Sequence, residues 1–187
     1  MKHVVRFAMI LTAGLFALAC GDQSKQAETK EEHAAHDSTA KDQTATTNGN
    51  SSTASLKDEN LNAVYQHYIH LTTALTNTDA AEAKIAALAI EAGAKDMQGG
   101  SAIAAQASKI INANDIEVQR TAYYNLSKSM IDLVKKSGLK GGELYVDYCP
   151  MAFNDKGASW LSNNKEIRNP YFGDKMMKCG EIKETIK

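Results

Sequence analysis

Sulfur-bearing side chains near the end of the chain are the best candidates for chemistry. Two of the three cysteines and three of the seven methionines lie within one short stretch: Cys149, Met151, Met176, Met177 and Cys179. Pro150 favours an extended conformation at Cys149, and residues two apart in an extended chain point to the same side. Met176 and Cys179 are three residues apart, so one helical turn would place both on one face, whereas Met177 would point elsewhere.

If these two clusters meet, two thiols and two thioethers surround one point. Zinc prefers cysteine, histidine and carboxylate ligands, whereas thiolates combined with thioethers select Cu(I). The spacing therefore predicts a Cu(I) site formed by Cys149, Met151, Met176 and Cys179. No enzyme chemistry requires this ligand set, and no Gly-rich phosphate loop or serine nucleophile motif is evident, so we expect a metal holder, carrier or sensor and not an enzyme.

The N-terminus predicts export and a lipid anchor. Residues 1–20 have a basic start and an apolar run over residues 7–18, as in a signal peptide. The run ends in Ala-Leu-Ala-Cys, which resembles a bacterial lipobox, so we expect Cys20 to be lipidated. Residues 21–55 lack Val, Ile, Leu, Phe and Tyr and are expected to form a disordered tether. The predicted location is the cell envelope, on the periplasmic side of a bacterial membrane or on the outer-membrane surface.

A disulfide is the alternative to a metal at the sulfur cluster. Once Cys20 is lipidated, Cys149 and Cys179 are the only two cysteines left, and an exported protein meets oxidising conditions. Closing this loop would stabilise the fold by about 3–4 kcal/mol on the chain-entropy estimate. From the chemistry alone, both the disulfide and the metal site remain open, and the two could alternate.

The elements that must position this cluster are mainly helical. Residues 56–187 are expected to form one domain, in which four runs of apolar residues at spacings of three and four predict an antiparallel bundle of three to four helices. Asp58, Asp79 and Ser101 are the predicted N-caps. Alternating apolar residues at 144–148 predict a short strand, within an otherwise irregular Cys/Met-bearing segment, residues 143–182. His67 and His70 share one helix surface, and we expect them to flank the core.

Six segments distributed over residues 61–182 carry a family resemblance. They are Y-Q-H-Y-I-H-L-T-T-A-L, R-T-A-Y-Y-N-L-S, C-P-M-A-F, G-A-S-W-L-S, I-R-N-P-Y-F-G and K-M-M-K-C-G. Together they resemble an uncharacterised family of bacterial domains that is common in Bacteroidetes-type lipoproteins. The same domain is found fused to the C-terminal end of periplasmic adaptor subunits of copper and heavy-metal efflux pumps. The resemblance implies heavy-metal handling and a heavy-metal efflux complex as the partner.

These observations favour a lipid-anchored envelope protein that binds a soft ion, most simply Cu(I), for copper or heavy-metal tolerance, efflux or delivery. The alternative is a disulfide-stabilised interaction module of an envelope complex, with no metal of its own. The formal net charge of -1 and the absence of a basic patch exclude nucleic acid as an expected partner.

Overall fold

The computed structural model describes residues 54–187. The predicted signal peptide, the lipidation site Cys20 and residues 21–53 of the predicted tether lie outside the described residues. Ala54 is buried, and a two-residue strand, β1 (Ser55–Leu56), follows it. Ordered structure is therefore present slightly before Leu56.

Four helices form the larger part of the described chain. They are α1 (Glu59–Thr76), α2 (Ala80–Lys95), α3 (Ser101–Asn112) and α4 (Ile116–Ser137). Each helix contacts the next, and α1 also contacts α4. The predicted helical bundle is thus confirmed. Within residues 54–187, no helix combines the length and apolar character needed to cross a bilayer.

Aspartate caps define where three of the helices begin. Asp58, Asp79 and Asp115 each accept hydrogen bonds from backbone N–H groups of the following first turn, which would otherwise lack partners. The prediction of a Ser101 cap is wrong. Ser101 is already the first residue of α3. The N-cap of this helix is Gly100, which has no side chain that could form a capping hydrogen bond.

A three-stranded antiparallel sheet follows the bundle. Its central strand is β3 (Leu144–Cys149), flanked by β4 (Ala158–Ser162) and β5 (Glu181–Ile186), while β2 (Leu139–Gly141) pairs with β1. The predicted strand at 144–149 is confirmed, but β4 and β5 were not predicted from the sequence. In the β3–β4 register, Cys149 lies opposite Ala158 and Asp147 lies opposite Trp160.

A buried hydroxyl group ties the sheet to the bundle. Tyr68 Oη on α1 accepts a hydrogen bond from the Leu161 N–H on β4 at 2.9 Å. It also bonds to Ser127 and Tyr123 on α4, both at 2.9 Å. All four of these bonded groups are buried, so β4, and β3 through its pairing with β4, are held at a defined position on the helices.

Candidate metal centre

The two cysteines that the sequence singled out are in contact. Cys149 is the last residue of β3 and is fully buried, whereas Cys179 is half-buried in the segment leading into β5. Their Sγ atoms lie 2.7 Å apart although the residues are 30 positions apart in the sequence. The antiparallel pairing of β3 with β5 brings the two chain segments together.

Burial first, and then the adjacent Cys149, raise the pKa of the Cys179 thiol to about 11, although a backbone hydrogen bond at Met151 acts to lower it. A thiol with this pKa is protonated at neutral pH. It is therefore not an activated nucleophile, and an ion that binds it must displace its proton.

Met151 does not lie where an extended chain would put it. Its backbone is in the right-handed helical region, at φ -83° and ψ -10°, because the chain turns directly after Pro150. The prediction that Cys149 and Met151 point to the same side by strand alternation is wrong for this reason. The Met151 side chain is 48% exposed, in contrast to the buried Cys149.

Met176 also departs from the predicted helical turn. One 3-10 turn, Gly173–Lys175, ends just before it, and Met176 itself has φ -151° and ψ 58°. A turn nevertheless keeps Met176 beside Cys179, since the Cys179 N–H donates to the Met176 carbonyl at 3.1 Å. Met177 is half-buried, and its carbonyl accepts a hydrogen bond from the Asn169 N–H at 2.7 Å.

Met151 and Met176 line one open pocket of ≈ 540 Å³, which we call the methionine pocket. Its complete lining is Glu117, Arg120, Thr121, Met151, Ala152, Phe153, Asn154, Asp155, Tyr171, Phe172 and Met176. Three successive non-glycine residues of this lining, 153–155, have positive φ values of 54°, 56° and 64°. Such a run is disfavoured by steric contact of the side chains with the backbone, and strained backbone of this kind clusters at functional sites.

Asn169 holds the segment that carries Cys179. This asparagine is fully buried; its Nδ2 donates to the Cys179 carbonyl at 2.8 Å, and its Oδ1 accepts from the Tyr171 N–H at 2.8 Å. Tyr171 in turn packs edge-on against Trp160 and donates from its hydroxyl to the Ser159 carbonyl. The sequence predicted a turn at Asn169-Pro170, but the bond from Asn169 to Cys179 follows only from the tertiary structure.

If Cys149 and Cys179 are oxidised to a disulfide, replacing Asn169 with alanine is expected to make that disulfide at least tenfold easier to reduce. Loss of the side-chain amide frees the Cys179 segment, so the two thiols spend less time in contact. The equilibrium constant can be measured in glutathione redox buffers with thiol trapping. Asn164→Ala is the matched control, because Asn164 makes a similar local bond, to the Glu166 N–H, without contacting Cys179. An unchanged constant in Asn169→Ala would contradict the positioning role.

A buried carboxyl group lies two residues before Cys149. Asp147 is fully buried, and neither of its carboxyl oxygens has a hydrogen-bond partner. Burial raises the pKa of Asp147 to about 7. Sequence reasoning missed this residue, although an acid within a strand that is otherwise rich in apolar and aromatic residues was a usable signal.

The donor set suits a soft ion better than a hard one. Among residues 54–187, no three His, Cys, Asp or Glu side chains form a group that could hold a metal. His67 and His70 are exposed, and His70 contacts Glu82 at 2.7 Å. With metal–sulfur bonds near 2.3 Å, two sulfurs on one ion lie about 3.8–4.6 Å apart. The 2.7 Å contact must therefore open by about 1–2 Å to admit an ion between the two thiols.

Comparison with known proteins gives a family match in the helical part of the chain. Residues 64–142 match the family described as Protein of unknown function (DUF3347). This match runs from α1 to just beyond β2 and ends before Cys149, so it supports an uncharacterised family for the bundle and leaves the sulfur-bearing segment outside the matched range. No curated protein and no solved structure matches the chain.

Proposed function

We propose that this chain is a lipid-anchored envelope protein that binds a soft metal ion, Cu(I), for copper or heavy-metal tolerance, efflux or delivery. One observation carries the proposal: the same two distant segments supply both a contact between two thiols and a pocket lined by two thioethers. Cys149 and Cys179 are in contact, and Met151 and Met176 line one pocket. Fusion of the resembling domain to efflux adaptors supports a heavy-metal efflux complex as the partner.

The chemistry of these side chains accounts for the choice of ion. Thiolates bind Cu(I) strongly, and thioethers add soft, neutral donors that Zn²⁺ and Mg²⁺ do not favour. Since the Cys179 thiol is protonated at neutral pH, loading releases protons, and affinity should rise with pH. Cys149 and Cys179 act as the strong ligands in this proposal, and Met151 and Met176 act as supporting ligands.

A Cu(I) titration tests the proposal directly. The full chain carrying Cys20→Ser, which leaves Cys149 and Cys179 as the only thiols, is reduced and titrated anaerobically against a competing chelator. We expect one tight equivalent of Cu(I). Cys149→Ser should lower the affinity at least a hundredfold, because it removes a charged ligand, and Met151→Leu should lower it about tenfold.

The matched control is Met130→Leu. Met130 is fully buried on α4 and belongs to the hydrophobic core, so its replacement should leave Cu(I) affinity unchanged. The metal proposal would be refuted if the reduced protein bound no Cu(I) although a thiol reagent reacted with both Cys149 and Cys179.

The second candidate is a disulfide-stabilised interaction module. The observation that favours it is the 2.7 Å separation of the two Sγ atoms, which is nearer to the 2.03–2.05 Å of a disulfide than to the spacing around an ion. This candidate predicts that the protein isolated without reductant contains no free thiol at Cys149 or Cys179. It also predicts that Met151→Leu has no effect on Cu(I) binding.

A further inference from the structure

The two thioethers line a pocket that the two thiols do not line. Met151 is 48% exposed, and both it and the half-buried Met176 line the open methionine pocket, whereas neither the fully buried Cys149 nor the half-buried Cys179 does so. An ion that enters this pocket therefore meets the thioethers and not the thiols. A backbone hydrogen bond links the two sets of residues, since the Cys179 N–H donates to the Met176 carbonyl at 3.1 Å.

We propose that Met151 and Met176 form a separate acceptor site for a soft monovalent ion, which holds the ion at the surface independently of the thiols. This inference rests on the proposed function, because the ion captured there would pass to Cys149 and Cys179. It assigns the two methionines a role of their own and not only that of supporting ligands to a single four-sulfur centre.

The side-chain chemistry distinguishes the two sites. A thioether carries no proton near neutral pH, so Met151 and Met176 take up an ion without releasing protons, and they do so whether the cysteines are reduced or oxidised. Transfer to the cysteines then exchanges the ion's bonds to the thioether sulfurs for bonds to the cysteine sulfurs, while the ion keeps its +1 charge throughout. No electron changes hands in either step.

The pocket wall also suits a cation. The carboxylates of Glu117 and Asp155 lie on the lining, and both side chains are exposed. Phe153 and Phe172 add aromatic rings, whose faces attract cations. Glu117 is paired with the buried Arg120 at 2.7 Å and with Lys175 at 3.8 Å, so its charge is largely offset and Asp155 is the carboxylate that would favour a cation in the pocket.

Silver(I) is the probe for this site, because it is a soft monovalent ion that does not change oxidation state during the measurement. The full chain with Cys20, Cys149 and Cys179 all replaced by serine is titrated with Ag(I) in chloride-free buffer by calorimetry. We expect one equivalent to bind, with affinity unchanged between pH 6 and pH 8. Met151→Leu or Met176→Leu should weaken binding at least tenfold.

Met177→Leu is the matched control, since Met177 adjoins Met176 in sequence but does not line the pocket. A second readout is the NMR signal of the methionine methyl groups: Ag(I) should shift the signals of Met151 and Met176 and leave that of Met177 in place. The full chain carrying only Cys20→Ser, with Cys149 and Cys179 oxidised to a disulfide, provides a sample that does not depend on the folding of the triple variant. It should bind Ag(I) in the same way.

The outcomes separate this inference from the function on which it rests. If neither the cysteine-free nor the oxidised protein binds Ag(I), or if Met177→Leu weakens binding as much as Met176→Leu, the acceptor site is refuted. Tight Cu(I) binding by the reduced protein would then still support the thiol centre. Conversely, Ag(I) binding by the cysteine-free protein together with no Cu(I) bound at the thiols would support the acceptor site and overturn transfer to the cysteines.

Discussion

Replacing Arg120 with alanine is expected to lower the free energy of unfolding by about 3–5 kcal/mol. The Arg120 guanidinium on α4 is 2% exposed and joins three parts of the molecule. It donates to the Pro170 carbonyl at 2.9 Å, to the Leu75 carbonyl at 3.1 Å and to Glu117 at 2.7 Å. Alanine would leave buried carbonyl groups without donors and would open a cavity beside the methionine pocket.

Urea unfolding of the purified full chain measures this effect. Arg168→Ala is the matched control, because the Arg168 side chain is exposed, and it should change stability by less than about 0.5 kcal/mol. Glu117→Gln should also cost less than about 1 kcal/mol, since Glu117 is 56% exposed. A loss in Arg120→Ala no larger than that in Arg168→Ala would show that the buried bonds do not support the fold.

Replacing Asp147 with asparagine is expected to change how stability depends on pH. The folded-state pKa of Asp147 is raised to about 7 from an ordinary value of 3.8, so the folded protein holds this proton more tightly than the unfolded chain. The resulting stabilisation is fully present below pH 3.8 and is lost as the pH rises through about 7. Asparagine does not titrate, so the variant should gain about 2–4 kcal/mol relative to the wild type between pH 4 and pH 8.

This difference can be measured by urea unfolding of the reduced, metal-free protein at both pH values. Asp174→Asn provides the control, because Asp174 is exposed, and its effect should stay below about 0.5 kcal/mol throughout. An Asp147→Asn difference that is equal at pH 4 and pH 8 would mean that the buried carboxyl group is not protonated in the folded protein.

The helices were predictable because their signals are local. Apolar residues at spacings of three and four place α1, α2 and α4 close to their observed positions, and the caps of α1 and α2, Asp58 and Asp79, were also predicted. The exposed face of α2 was less predictable: Ile85 and Leu88 are 56% and 52% exposed, whereas alanines form most of its buried face. Periodicity identifies a helix, but which face is buried depends on the neighbouring helices.

The sheet was only partly predictable, because two of its three strands are defined by contacts between distant segments and not by a local pattern. The alternating residues of β3 mark it as a strand, but β4 is short and β5 is almost wholly exposed, so neither carries a strong apolar pattern. Both exist because they pair with β3. The backbone bonds that define them join residues far apart in the chain, which no local pattern encodes.

For the candidate site, the sequence by itself determined the residue types: two thiols and two thioethers at the C-terminal end, a set of side chains that prefers soft ions to hard ones. Only the tertiary structure decided their arrangement. It brings Cys149 and Cys179 into contact, and it places Met151 and Met176 in the lining of an open pocket. The physical reason is that side-chain chemistry belongs to each residue alone, whereas burial, strand pairing and backbone turns depend on contacts between distant segments.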